Sequence, residues 1–465
     1  MSDVTRELAS FATAAKWKDL PASVVRETRL VLMEHLGVAL AALSTDKGKM
    51  MAALGRKNGG PPEASIIGLG DKVGCSTASL VNGELMIALD FSSIIAGGHD
   101  GTYVIPTLLS FAESAGASGK DLILATALGL EVSARIARAV GRHNITAEDF
   151  RRQKEGMRGL TGNAYSNLGA AAGASRLLGF SEDKTLHAMG IASHLCMVLS
   201  YARWGVGGHN YMAKYGVPGW QSTGAVTAVQ LAEMGYTGDT TVLDDPKRGF
   251  SYFVGYPNYY PHVLTEELGK TWYWTIKLHY KPYPCCGVFH SSLDCFYNVI
   301  EQNNLEPDEI QSIRVSAGGM SDSLSSISSA QFNMPYNIAV AAHRVPRGVE
   351  WADPGTMSNP SILRLASKVT GGAFPGIGRE DPNNPKARPG RAEVDARGRT
   401  FANEIIYRRG DTNTDVAWTE NDAVDKFRHN AERILTKAKT QRAVELLLGL
   451  EDLDDISRLL TEVTL

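Results

Sequence analysis

From residue 4 to about 240, apolar residues recur at i, i+3 and i+4 in segment after segment, and alanine and glycine crowd the same segments. TRELASFATAA, SVVRETRLVLMEHLGVALAAL, DLILATALGLEVSARIARAV, NLGAAAGASRLLGF and TGAVTAVQLAEMGYTG each carry such a set. That period belongs to helices that turn a face to a core. Small residues from Gly169 to Ala174 and from Ala225 to Ala228 let helix axes approach closely. The pattern therefore predicts a compact helical core in which several helices are buried nearly all round.

Past Trp272 the period changes. TIKLHYKPYPCC, IQSIRVSAG and GRAEVDARGRTFANEIIYRRG place β-branched and aromatic residues in short alternating runs, which read as strands. A polar stretch rich in proline and glycine, from Gly372 to Gly390, reads as a surface excursion. After Trp418 the helical period returns in TENDAVDKFRHNAERIL and QRAVELLLGLEDLDDISRLLTEV. The expected fold is mainly α: a large all-helical domain made of residues 1–270 and 411–465, with a smaller α+β domain, 271–410, inserted between them. A length of 465 residues suits two units better than one ordinary core.

The charge balance narrows the function classes. A formal net charge of −3 leaves no electrostatic footprint for nucleic acid. No run approaches the roughly 18 apolar residues of a membrane span, and residues 1–20 read as a charged, amphipathic surface helix rather than a signal peptide. A cytoplasmic location is the expectation. Cys75, Cys196, Cys285, Cys286 and Cys295 form an odd set without CxxC spacing, so reduced thiols are expected and a zinc site is not. Gly68, Gly70 and Gly74 loosely resemble a dinucleotide fingerprint, but the last spacing is one residue too long and a turn is the better reading. P-loop, GxSxG and HExxH motifs are absent from the sequence.

The residues that could carry chemistry sit in loops framed by glycine or proline. Asp90 ends the apolar run LMIALDF, where a carboxylate serves either as a turn or helix-end device or as a buried functional acid. His99 stands between Gly97-Gly98 and Asp100-Gly101, on unencumbered backbone and beside a carboxylate able to orient its ring. Lys214, in GGHNYMAKYGVPGW, has few charged neighbours and could receive an anion; His209 precedes it in the same loop. Lys281 lies in HYKPYPCCGVFH, where prolines pre-set the geometry of a binding loop, followed by Cys286 and His290. Cys286 reads as packing before it reads as a nucleophile. Arg158, in GMRGLTGN, offers a forked donor for a carboxylate ahead of a helix N-terminus. One acid, histidines and several cations suit a small polycarboxylate: a base takes a proton next to a carboxylate while cations hold the remaining charge.

VNG at Val81–Gly83, ALDF at Ala88–Phe91, His99 seven residues before Pro106, GLEVSARI, LGAAAGASRLLGFS, GYTG, KPYPCC with His290, and KFRHNA at Lys426–Ala431 follow one another in an order that resembles the MmgE/PrpD family over nearly the whole chain. That family includes 2-methylcitrate dehydratase, cis-aconitate decarboxylase and iminodisuccinate epimerase. The resemblance implies that the inserted α+β domain is a lid, that the protein is a homodimer, and that a site without metal or other cofactor lies between the two domains. It also implies that Asp90 and His99 are the active-site acid and histidine, Lys214 a substrate-facing lysine and Lys281 the lysine of the lid loop.

Departures from the family pattern fall at the same places. Ser92 and Ser93 stand where a further carboxylate is usual, and Asp100 follows His99 where proline is usual. The stretch Met157–Asn167 lacks a histidine and leaves Arg158 or Asn163 as polar stand-ins. Val217 and Pro218 occupy the place of a histidine after the loop lysine, and Asp322 lies near a tyrosine position of the decarboxylases. The expectation is a lyase on a small di- or tricarboxylic acid, with elimination of water as first choice. His99 transfers the proton, Asp90 orients it, and Lys214 and Lys281 clamp carboxylates. An epimerase or isomerase on the same scaffold, needing one acid–base pair, is the alternative, and a catalytically idle binding relative the third reading.

Overall fold

The structure is a computed structural model and describes residues 3–141, 163–197, 211–256, 258–318, 321–375, 377, 384 and 386–465. Among these residues helix far outweighs strand, so the chain is mainly α as its periodicity predicts. Helices Ala22–Ala42, Cys75–Ile87, Asp100–Ser114, Gly119–Ala139, Ser166–Leu177 and Pro218–Glu233 form the body, and most of their residues are buried. Small residues set how closely they pack. A Cβ on Gly169 would lie 2.1 Å from Ser133 Oγ and 2.4 Å from the carbonyl oxygen of Gly129, so helices Gly119–Ala139 and Ser166–Leu177 touch along a face that admits no side chain there.

The C-terminal helix Glu420–Ala431 returns to this body and packs against Ala22–Ala42. Thr419 begins it with a capping box, accepting from Asp422 N through its side chain while Asp422 returns the bond to the Thr419 backbone. Phe427 and Ala431 are fully buried in the body's core.

A second apolar cluster begins at Tyr283. It gathers Phe289, Phe296, Ile313, Phe332, Trp351, Val394 and Phe401, whereas Trp272, Trp274, Leu278 and Tyr280 still belong to the body. Its four-stranded sheet runs in the order Val369–Gly371, Ile310–Val315, Gly390–Ala396, Arg399–Ile405, with the first pair parallel and the others antiparallel. Gly390–Ala396 alternates buried and half-buried residues, as a strand with one face on a core does. It turns into Arg399–Ile405 through Arg397 and Gly398, both at positive φ, the two-residue turn whose twist matches paired strands. Helix His290–Gln302 packs across this hairpin. Lys281 thus sits where one core gives way to the other.

No described helix is long and apolar enough to cross a membrane. No disulfide joins the five cysteines. Gly68 and Gly70, both at positive φ, lie in the connection between the short paired strands Ala64–Ser65 and Lys72–Val73, in keeping with a turn.

Candidate active site

A short antiparallel pairing brings the key segments together. Ile94 pairs with His279 and Ile95 with Leu278, so the residues just before Ile94 run alongside those just after His279. Asp90 and Lys281 are thereby brought near each other although 191 positions apart. Beyond Ile95 the chain turns tightly through Ala96 and Gly97, both at positive φ, with Gly98 N donating to Ile95 O at 2.9 Å. His99 then caps the N-terminus of helix Asp100–Ser114, and Thr102 donates to its carbonyl through both its N–H and its hydroxyl.

Asp90 is fully buried and takes a left-handed backbone conformation, φ 49°, which aspartate tolerates better than most residues. Its carboxylate caps no helix; cationic and hydroxyl groups surround it. Lys281 Nζ donates to Oδ1 at 2.9 Å and also to the Asp90 carbonyl. Tyr215 donates its hydroxyl to the two carboxylate oxygens at 3.3 and 3.4 Å. His99 Nε2 lies 3.6 Å from Oδ1 and Lys214 Nζ 4.0 Å from Oδ2. Burial, the largest single influence, pushes the Asp90 carboxyl up, but Lys214, Lys281 and His99 together outweigh it and hold it below the usual carboxylate range. Asp90 is therefore ionised at neutral pH.

Lys214 and Tyr215 come from the turn that precedes helix Pro218–Glu233. Glu84 fixes that helix start by accepting from Gly219 N at 3.1 Å, and it also pairs with Lys47 at 2.7 Å. Tyr103, on the helix that His99 begins, donates to the Tyr215 carbonyl, and the rings of His99 and Tyr215 lie 4.4 Å apart. The Lys214 ammonium donates to the side-chain carbonyl of Gln331 and lies 5.5 Å from the Tyr215 ring centre and 5.4 Å from that of Phe332. Burial, with Lys281 adding to it against the pull of Asp90, brings Lys214 down to about 7. A lysine so placed exchanges a proton readily near neutrality.

Gln331 and Phe332 belong to the second cluster's side of the molecule. Gln331 donates its amide to Ala88 O at 3.0 Å, and its backbone carbonyl accepts from Cys286 N at 2.9 Å. It thus ties the Lys281 loop and the Lys214 turn to the end of the helix that leads to Asp90.

Asp90, His99, Lys214 and Lys281 gather in one enclosed cluster. Lys281, expected to clamp a ligand carboxylate, has its ammonium fully buried against Asp90 instead. Cys286 lies at the edge of the cluster, and burial pushes its thiol up to about 12, which keeps it protonated. His290 points away into a buried chain: its Nδ1 is 3.1 Å from His279 Nε2, and His279 Nδ1 is 2.9 Å from Asp411 Oδ1, with Arg408 closing on the same carboxylate. Arg158 and His209 lie outside the described residues. Asn163, the other residue named as a polar stand-in, lies among the described residues. It donates to Asp100 Oδ1 at 3.0 Å beside Ser166, and a Cβ on Gly98 would sit 2.1 Å from its Nδ2, so it backs directly onto the His99 turn.

Sequence reasoning missed Tyr215 and Gln331. Tyr215 carried one usable signal, its place directly after Lys214 and before a glycine. Gln331 follows a serine-rich stretch with nothing to set it apart. Among the described residues no group of three or more histidine, cysteine, aspartate and glutamate side chains could hold a metal ion.

The cluster places one carboxylate among two lysines and a histidine. It carries excess positive charge whenever Lys214 is protonated, and an anion is the ligand that relieves it. Residues 6–261 match the model of the MmgE/PrpD N-terminal domain and residues 283–452 that of the MmgE/PrpD C-terminal domain. The chain is 23% identical to the cis-aconitate decarboxylase-like protein oryM of Aspergillus oryzae, over 99% of this chain and 97% of that protein. It is also 23% identical to the cis-aconitate decarboxylases of Aspergillus terreus and Homo sapiens, over 99% of this chain and 95% and 94% of theirs.

Proposed function

Because the chain belongs to the MmgE/PrpD family, we propose that it is a lyase that acts on a small di- or tricarboxylic acid by removing a proton next to a carboxylate, without a cofactor. The observation that carries this reading is the Asp90 carboxylate set among Lys281, Lys214, His99 and Tyr215. Similarity to cis-aconitate decarboxylases over nearly the full length supports the same reaction class.

In this scheme His99 abstracts the proton and Asp90, held ionised by Lys281, favours the imidazolium that forms. Lys214 supplies the acid: its ammonium protonates the leaving hydroxyl, which departs as water while the C–H electron pair becomes the double bond. That acid replaces the second carboxylate that Ser92 and Ser93 do not provide. With a substrate that loses carbon dioxide instead, the same ammonium protonates the carbon that gains electron density. Elimination of water is the first choice, and the second core, carrying Gln331 and Phe332 to Lys214, serves as the lid.

Incubation with a panel of di- and tricarboxylates in deuterium oxide tests the proposal. A new unsaturated acid or released carbon dioxide is the expected result. Deuteration next to a carboxylate without a new double bond would move the assignment to an epimerase. If His99→Ala and Lys214→Ala changed neither turnover nor thermal stabilisation by these acids, the site itself would be misassigned.

A further inference from the structure

Behind the Asp90–Lys281 pair lies a second buried charge pair, which takes no part in the scheme above. Lys426, on the returning C-terminal helix, reaches Glu34 Oε1 at 2.6 Å. The same ammonium donates to the carbonyl of Phe91 at 2.6 Å and to that of Lys281 at 2.9 Å, and it lies 3.7 Å from the Phe91 ring centre. Glu34 uses its other oxygen to accept from Ser93 N at 2.9 Å. Both side chains are buried. These bonds outside the pair fall on the backbone of 91–93 and of Lys281, the two segments that carry Asp90 and Lys281.

We infer that Lys426 and Glu34 are positioning residues of the active site, forming a brace that fixes the distance between the Asp90 and Lys281 backbones and so the geometry of their ion pair. The inference rests on the reading that Asp90 and Lys281 belong to the reacting centre. An ammonium with three donors is well matched to such a brace. One cation holds two carbonyls from segments about 190 positions apart, while the glutamate neutralises it and holds a further point at Ser93 N. A buried ion pair that served stability alone could be replaced by apolar residues of similar volume with little loss. Here such a replacement would leave the Phe91 and Lys281 carbonyls and Ser93 N without these partners, and the two segments free to drift.

The test is the double variant Glu34→Gln/Lys426→Met, which removes both charges together and leaves neither buried alone. With cis-aconitate as probe, kcat is expected to fall about 100-fold, as for a small misplacement of reacting groups, with KM within about threefold. Glu34→Gln alone keeps the shape and one acceptor, for Ser93 N, but leaves the Lys426 ammonium without its counter-charge; it should lower the melting temperature and reduce the kcat of the folded fraction about tenfold, and it serves if the double variant does not fold. Arg442→Met, which breaks the exposed pair with Glu462 on the C-terminal helices, should leave kcat unchanged. A double variant that folds and keeps the wild-type kcat overturns the inference. If the wild type neither turns over cis-aconitate or any other acid of the panel above nor is stabilised by them or by the unreactive tricarboxylate tricarballylate, the functional reading fails. The crystal structure of the double variant then decides the brace: an Asp90–Lys281 contact still at 2.9 Å overturns it, and a displaced one upholds it.

Discussion

Lys281 Nζ and Asp90 Oδ1 meet at 2.9 Å with both side chains fully buried, so the charge of each is balanced inside the protein and not by water. Removing one partner of such a pair leaves the other unpaired in a low-dielectric setting, which costs far more than the pair itself contributes. Asp90→Asn isolates this effect because asparagine also tolerates the left-handed conformation at φ 49°. Activity should fall at least about 100-fold, and stability by about 3–5 kcal/mol. Steady-state rates and urea unfolding measure the two losses.

Lys214 titrates within the pH range of an ordinary assay. Burial brings it to about 7 from an ordinary value of 10.5. If its ammonium is the acid, kcat/KM should decline as pH rises through about 7, and Lys214→Arg, which does not titrate there, should abolish that limb at a lower overall rate. The stability consequence has the opposite direction. Between pH 7 and 10.5 the unfolded chain holds a proton at this lysine that the folded chain has released. Stability relative to Lys214→Met therefore rises with pH across that window, and the gain is gone once pH has fallen to about 7. Denaturation midpoints of the two proteins at about pH 7 and pH 9 give the sign.

Gln331 offers the Lys214 ammonium a neutral carbonyl. Gln331→Glu puts a negative charge in contact with it, favours the protonated lysine and should carry the alkaline limb upward by about 1–3 pH units. An unmoved limb in the pH–rate profile would dissociate Lys214 from it.

The histidines behind the Lys281 loop make the protein sensitive to acid. Burial and the nearby Arg408 bring His279 down to about 4, and burial with His279 and Lys281 beside it takes His290 well below its ordinary value. Both stay neutral in the folded protein at pH values where the unfolded chain already binds protons. The contribution is present above about pH 6.5 and drains away as pH falls toward 4, at about 1.4 kcal/mol per pH unit for each histidine. His279→Gln/His290→Gln should flatten this loss, as read from unfolding curves at about pH 7, 6 and 5.

Gly169→Ala tests the closest helix contact. The added methyl would press on Ser133 Oγ and the Gly129 carbonyl, so stability should drop by about 1–3 kcal/mol while the folded fraction keeps its specific activity. Calorimetry and active-site titration separate the two.

Much of this molecule is legible in the sequence because it is written locally. The small-residue run from Gly169 to Ala174 announces close helix packing, and the alternation in GRAEVDARGRTF announces strands, since each depends on residues within a few turns or along one strand. His99 and Lys214 stand out for the same reason, as polar residues in glycine-framed loops. Asp90 is harder: at the end of an apolar run a carboxylate looks like a turn device, and only Lys281, 191 positions away, makes it the centre of a cluster. Gln331 and Lys426 leave no local trace of their partners. Gln331 meets Lys214 across 117 positions, and Lys426 meets Glu34 across 392. Such contacts follow from the way the Ile94–His279 pairing and the returning C-terminal helix fold the chain back, which no short-range period encodes.

The span between Glu34 and Lys426 gives the site a place in time as well as in space. At roughly 5–20 residues per second on the ribosome, the 392 positions between them take about 20–80 s to make. Late in that interval the nascent chain already contains Asp90, His99 and Lys214 but not the ammonium that grips the Phe91 and Lys281 carbonyls. Newly made polypeptide should therefore stay chemically silent until its final helices emerge, and fragments from prematurely stopped translation should be silent for the same reason.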